Sequence, residues 1–420
     1  MRYFGPFLVL LLLVALFFRV EFFFTILYLL GAIVILARWW MRRAVRQLQG
    51  GRRFVDRAFT GDRVPVRLTI ENAGWLPLLW LEIDELVPLG LRVAPFGRRV
   101  VALGPRETWR TEYTLICHRR GRYHVGPTTL RTGDPLGISR HELRWDEPDD
   151  LVVYPRIVPL AQLGLPTRSP LAVLPATAPL FEDTSRVMST RDYRRGDPLR
   201  RVHWSATARV GHLVVKQYQP AIARETLICL DLHEDGYAAR FRHDAVELAI
   251  VVAASLANHT IVRERLPVGL VTQVLPSSPI AAQRHAPTNG AADSLRETGP
   301  GDAATTPTIT LPPHKERAHL THILDVLAEV ELLTRAATPF ATLLRRERLR
   351  LSWGGTIVIV TGRGSAALSD ALLGLRRGGL AVALILVGVS RPTDGVGDWA
   401  APPGVALYCV NTIRDLEALA

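Results

Sequence analysis

Thr226-Leu227-Ile228-Cys229-Leu230-Asp231 decides how the second half of this chain is read. A short apolar run without alternation, closed by a polar residue, reads as a strand buried on both faces. A helix from about Phe241 to Arg265 follows, with Phe241, Ala245, Leu248, Val252 and Leu256 on one side. The alternation then repeats: strand over Pro267 to Thr272, helix over Lys315 to Leu333, strand over Gly355 to Thr361 and helix over Ala366 to Arg377. Leu380 to Val387 and Val405 to Val410 close the series as strands. Strands separated by helical stretches predict a mostly parallel, Rossmann-like α/β sheet covered on both faces. Residues 274–313 interrupt it with Ser, Pro, Ala, Thr and Gly and few large apolar residues, which reads as a disordered insertion.

Upstream lies the densest polar run of the chain, Arg-Asp-Tyr-Arg-Arg-Gly-Asp-Pro-Leu-Arg-Arg-Val-His-Trp-Ser-Ala-Thr-Ala-Arg from Arg191 to Arg209. Gly196-Asp197-Pro198 is a turn signal. Arg191, Arg194, Arg195, Arg200 and Arg201 crowd around it and repel one another unless carboxylates, carbonyls or a partner neutralise them. The pattern R-x-Y-x-x-G-D-x-x-R-x-x-H-W resembles the signature of a bacterial family, domain of unknown function 58. His118 to Pro127, Asp134-Pro135-Leu136-Gly137 and Val153-Tyr154-Pro155-Arg156 fit the same family, so the resemblance runs from about residue 50 to the C-terminus. It implies a membrane-anchored protein with a von Willebrand factor A-like domain, and a MoxR-type AAA+ ATPase as partner. A-domains with an adhesion-type metal site carry D-x-S-x-S after the first strand, a donor set suited to a hard cation. Here those positions hold Asp231, His233 and Asp235, and Gly362 stands where a later Asp is expected. We therefore expect no metal ligand set and no cofactor, with a site for another metal at Asp231, His233 and Asp235 as the alternative.

Residues 55–158 read as short strands punctuated by turns: Val64 to Ile70 alternates, Asn72-Ala73-Gly74 breaks it, and Trp109 to Cys117 alternates again. An all-β, Ig-like sandwich is the expected architecture. Arg119-Arg120-Gly121-Arg122 is either a hairpin tip or a phosphate contact. Residues 159–185 read as a linker and 186–220 as the region of the family signature.

Tyr3 to Phe18 and Phe22 to Ala37 are uncharged. Each is roughly 24 Å long as helix, a little short of a hydrocarbon core of about 30 Å, and Trp39, Trp40 and a snorkelling Arg19 extend them. A transmembrane helical hairpin over residues 1–40 is the reading; a cleaved signal peptide is the alternative. Arg38, Arg42, Arg43, Arg46, Arg52, Arg53 and Arg57 follow the second span, whereas only Arg19 lies in the turn. By the positive-inside rule, a multi-pass protein of the plasma or inner membrane with cytoplasmic soluble domains is expected. Residues 41–54 read as a basic juxtamembrane segment.

Of the net charge of +12, more than half lies before residue 58, where nine Arg face only Glu21 and Asp56. Basicity beside an apolar stretch suits anionic lipid better than nucleic acid. Cys117, Cys229 and Cys409 are widely spaced in apolar surroundings, as buried free thiols of a reducing compartment would be. Asp197, His203 and Ser205 are a triad by composition only, and proximity in sequence is no evidence for one.

The expectation is therefore a multidomain, non-enzymatic adaptor: transmembrane hairpin, β-sandwich, and a von Willebrand A-like domain over 221–420. Arg191, Tyr193, Gly196, Asp197, Arg201, His203 and Trp204 form the expected patch. Asp197 orders the turn or pairs an Arg, and Tyr193 and Trp204 pack it. Docking of the strand pair onto the α/β sheet and contact with a partner remain equal readings. A metal-dependent enzyme centred on Asp231 and His203, or a nucleic-acid-binding membrane protein, are the alternatives; client and oligomeric state are not legible.

Overall fold

The computed structural model describes residues 13, 21–93, 98–134, 140–145, 149–160, 182–194, 197–220, 225–275, 307–334, 338–348, 351, 354–388 and 401–418. They form two compact units, residues 1–156 and 157–420.

The first unit begins with helix α1 (Glu21–Val45), whose stretch Phe24–Val45 is long and apolar enough to cross a membrane. The other expected span, Tyr3 to Phe18, lies outside the described residues apart from Leu13. The basic segment 41–54 holds the end of this helix and the first strand. Helix continues through Val45, and strand β1 (Leu48–Arg53) follows almost at once. After β2 (Arg57–Phe59) come β3 (Arg63–Asn72), β4 (Leu78–Glu85), β5 (Leu91–Val93), β6 (Arg99–Leu103) and β7 (Thr108–Cys117). Strands β8 (Gly121–Val125), β9 (Thr128–Gly133), β10 (Arg140–Trp145) and β11 (Asp149–Tyr154) complete the unit. Two antiparallel sheets, β1-β3-β7-β5 and β10-β9-β4-β6, share one core, and a smaller sheet β2-β11-β8 joins them.

Alternation in β3 causes this arrangement. Val64, Val66, Leu68 and Ile70 all point inward, with Asn72 at the end of the same row. The turn before β8 is not a hairpin tip, since β7 and β8 lie in different sheets; it is tied by the Tyr123 hydroxyl, which donates to the Arg119 carbonyl at 2.8 Å. Met41 and Ala44, from the last turns of α1, belong to the sandwich core.

The second unit opens with an antiparallel ribbon, β12 (Glu182–Asp192) and β13 (Val214–Pro220), joined through a short helix α2 (Trp204–Val210). Its sheet contains β14 (Thr226–Leu230), β15 (Val268–Gln273), β16 (Thr308–His314), β17 (Thr356–Thr361), β18 (Ala381–Val387) and β19 (Ala406–Val410), in the order β16-β15-β14-β17-β18-β19. All neighbours are parallel except β15 and β16. This is the order of the common doubly wound sheets, with the direction reversing on either side of β14.

Helix α3 (Arg242–Asn258), continued by a π-helical turn His259–Arg263, is apolar enough to pass for a membrane span, but it is mostly buried and packs on β14, β17 and β18. Helix α4 (Arg317–Glu329) lies beside α3. Helices α5 (Phe340–Glu347) and α6 (Ala366–Arg377) close over Leu227, Cys229, Ile357, Ile359 and Leu384. Helix α7 (Ile413–Ala418) ends the described chain.

Two sequence expectations change. The stretch 274–313 contains strand β16 from Thr308 and a Val274 amide bonded to the Pro307 carbonyl at 2.9 Å; residues 276–306 lie outside the described residues. Cys117 and Cys229 are buried free thiols, but Cys409 is exposed because β19 is the edge strand. Burial lifts the Cys117 thiol to about 11 and pushes Cys229 well above its ordinary range.

Candidate functional site

The polar run folds as the tip of the β12–β13 ribbon. At the end of β12, Arg191 meets Asp197 in a two-pronged pair, Nη1 to Oδ2 at 2.7 Å and Nη2 to Oδ1 at 2.8 Å. Asp197 Oδ2 also accepts the Arg194 amide at 2.9 Å, and the Asp197 amide returns a bond to the Arg194 carbonyl at 2.9 Å. The Arg191 guanidinium, followed by the Arg194 amide, holds the Asp197 carboxyl at about 2, below its ordinary 3.8. One internal carboxylate thus neutralises Arg191 of this crowded loop, and Arg194 gives it only a backbone amide. Gly196 and Arg195 lie outside the described residues.

The chain then makes a short turn of helix, with the Arg201 amide on the Pro198 carbonyl at 2.9 Å, and rejoins the ribbon at Val202, which bridges Val215. His203 caps α2: its Nδ1 accepts the Ala206 amide at 3.2 Å and faces the Ser205 hydroxyl at 3.0 Å. Nδ1 is therefore the acceptor nitrogen, and the ring proton sits on Nε2. Asp197 is spent on Arg191 and Arg194, so Asp197, His203 and Ser205 do not make a relay. Gly211, at φ 79°, ends the helix, and the Thr207 hydroxyl accepts the Val214 amide at 3.1 Å. Two ribbon bonds complete the frame, Tyr193 amide to Leu213 carbonyl at 2.9 Å and His203 amide to Val214 carbonyl at 2.8 Å.

Of the two aromatics expected to pack the turn, only Tyr193 is half-buried; Trp204 is 66% exposed. Leu199, Val210 and Leu213 are exposed with it, alongside Arg194, Arg200 and Arg209. Leu199, Val210 and Leu213 carry no signal in the sequence, since each alone is an ordinary loop or helix residue. Their meaning comes from sharing a braced tip with an exposed Trp.

The second candidate is the carboxyl end of β14. Asp231 is buried and both its oxygens are used: Oδ1 by the His233 amide at 3.1 Å and His233 Nδ1 at 2.7 Å, Oδ2 by the Thr361 hydroxyl at 2.8 Å. The Tyr237 hydroxyl donates to the Asp231 carbonyl at 2.5 Å, and burial holds that phenol well above its ordinary range. Gly236 lies so close that a side chain there would meet Asp231 Oδ2 at 3.0 Å, and Gly362 abuts the Tyr237 ring. Asp235 is exposed. Among the described residues no group of three or more His, Cys, Asp or Glu side chains is placed to hold a metal ion.

These observations define a class: an apolar helix running into an all-β unit, followed by a doubly wound α/β sheet whose entry ribbon carries an Arg–Asp-braced, Trp-bearing tip. Residues 189–285 match the model of the family described as "Protein of unknown function DUF58". It is similar to "Uncharacterized protein YeaD" of Bacillus subtilis (strain 168), 26% identical over 217 residues, which is 50% of this chain and 52% of that protein. The chain thus matches about half the length of that relative. Among solved structures, an aerotolerance-related membrane protein from Bacteroides fragilis matches 46% of this chain and 96% of its own, at 14% identity and a TM-score of 0.28. A CARDB domain from Pyrococcus furiosus matches 25% of this chain and 91% of its own, at 14% identity and a TM-score of 0.19. The fold assignment rests on this chain's own strand order.

Proposed function

We propose that this protein is a membrane-anchored, non-enzymatic adaptor that captures a protein partner on the Arg191 to Arg209 tip. The observation that carries the reading is the exposure of Trp204 on a rigid frame. An exposed Trp on the same tip as exposed Leu199, Arg200 and Arg209 has the composition of an interface centre, where Trp and Arg dominate binding. Bracing by Arg191 and Asp197 lowers the entropy lost when such a tip is bound.

The alternating strands and helices of the second unit, with Asp231 at the end of the first strand, support a von Willebrand A-like reading of that unit. The family resemblance names a MoxR-type AAA+ ATPase as partner and chaperone-like assembly or remodelling as the task; this is analogy at the level of family. The anchor is α1, and the arginines that follow it support cytoplasmic soluble domains in the inner or plasma membrane.

The test uses the full chain, tagged in its native membrane and mildly crosslinked, beside an Asp197→Ala, Arg201→Ala variant. An AAA+ ATPase recovered with the wild type and lost with the variant supports the adaptor reading. Equal recovery removes the tip from the interface, and recovery with neither sinks the partnership.

A further inference from the structure

We infer that the end of the β-sandwich nearest α1 is itself a membrane-contacting surface, seated at the bilayer–water boundary through Trp75 and Leu79. The inference rests on the reading of α1 as a membrane anchor and adds where the sandwich lies relative to the lipid.

Along α1, Phe22, Tyr28, Leu29, Ile35 and Leu36 are exposed, whereas Met41 and Ala44 are buried in the sandwich core. The helix therefore leaves its apolar surroundings within about one turn of Trp39. From Phe22 to Trp40 it spans roughly 28 Å, close to the thickness of a hydrocarbon core. The sandwich meets it at that level. Trp40 Nε1 donates to the Pro77 carbonyl at 3.2 Å, the Ala73 amide donates to the Gln47 carbonyl at 3.0 Å, and the Trp39 and Trp75 rings meet edge to face at 6.4 Å.

The loop that carries Trp75 is built rigidly. Buried Asn72 donates through Nδ2 to the Leu76 and Gly104 carbonyls, both at 2.8 Å, and its Oδ1 accepts the Gly74 amide at 3.1 Å. The Arg106 amide bonds the Gly74 carbonyl at 2.9 Å, so a second loop shares this end. Trp75 and Leu79 are nevertheless 59% and 57% exposed. Trp prefers the headgroup level of a bilayer, and a fixed loop at the depth of Trp39 places one there.

Charge fits the same occupant. Arg38, Arg42, Arg43, Arg46 and Arg106 are exposed around this end and outnumber its exposed acids, one of which, Glu107, accepts the Gly104 amide at 2.6 Å. Glu71 is the exposed acid of the neighbouring strand end. An anionic lipid surface is the partner this combination suits.

The test is the full chain reconstituted in phosphatidylcholine vesicles containing phosphatidylglycerol, with Cys409→Ser to remove the exposed thiol. Single Trp75→Cys and Leu79→Cys variants carry an environment-sensitive fluorophore, with Arg63→Cys, at the opposite end of β3 and roughly 30 Å away, as control. Blue-shifted emission at 75 and 79, quenched by shallow nitroxide lipids while 63 stays as in water, is the expected result. Water-like emission at 75 and 79 in a chain that resists carbonate extraction overturns the inference and leaves the anchor standing. A chain stripped from the vesicles by carbonate overturns the anchor reading itself.

Discussion

Arg191 and Asp197, six residues apart, are joined through both terminal guanidinium nitrogens and both carboxylate oxygens. Because the Asp197 carboxyl is held at about 2 against an ordinary 3.8, its ionised form is preferred in the folded tip. The stabilisation is complete above about pH 4 and is lost as the pH falls through about 2. Hydrogen exchange of peptides covering the tip, corrected for intrinsic rates, should loosen over that interval. Asp197→Asn should be loose already at neutral pH and show no acid step. A wild-type tip that stays protected at pH 2 would contradict the brace.

Trp204→Ala separates binding from folding. Its side chain is two-thirds exposed, so the change should alter stability by no more than about 0.5 kcal/mol. Partner capture should nevertheless fall about tenfold or more, as for an interface centre. Unfolding curves of the detergent-solubilised chain read the first quantity, and quantitative co-purification reads the second. Loss of stability with loss of capture would return the residue to a structural role.

What was legible in the sequence follows local rules. Thr226–Leu230 and Ala366–Arg377 could be read because a continuous apolar run and a helical stripe need only their own neighbours. Thr308–His314 was obscured by Pro312 and Pro313, which a central strand excludes but an antiparallel edge strand accepts. Phe340–Glu347 has only eight residues, too few for a clear period. At the tip, the Arg–Asp brace was anticipated as one of Asp197's roles, but the direction of Trp204 was not. Facing outward is decided by where the ribbon leaves α2, which residue types do not encode.

Asp231 offers the third test. Both its oxygens are satisfied by His233 and Thr361, so a hard cation would have to break those bonds before gaining any. Millimolar-range Mg²⁺ or Mn²⁺ should leave the melting temperature of the wild type unchanged. Asp231→Ala should destabilise by about 1–3 kcal/mol for each buried group left unpaired. A metal-dependent rise in melting temperature that disappears in Asp231→Ala would revive the metal-site alternative.

Arg52 and Glu85 carry the last prediction. They meet at 2.5 Å inside the sandwich unit, with side chains only 4% and 0% exposed. Arg52 also donates to the Val125 carbonyl at 2.5 Å and to the Thr128 hydroxyl at 2.7 Å, and reaches Asp149 at 3.2 Å. It therefore ties β1 to β4, β8, β9 and β11, residues up to 97 apart in sequence. Removing one member strands the other charge in a desolvated site, which costs about 3–5 kcal/mol, whereas replacing both with apolar residues removes the burden along with the bond. Arg52→Met should thus lower the urea midpoint strongly, Glu85→Leu should do the same, and the double variant should recover most of the loss. Additive losses in the double variant would show that Arg52 stabilises through its carbonyl and hydroxyl contacts rather than through Glu85.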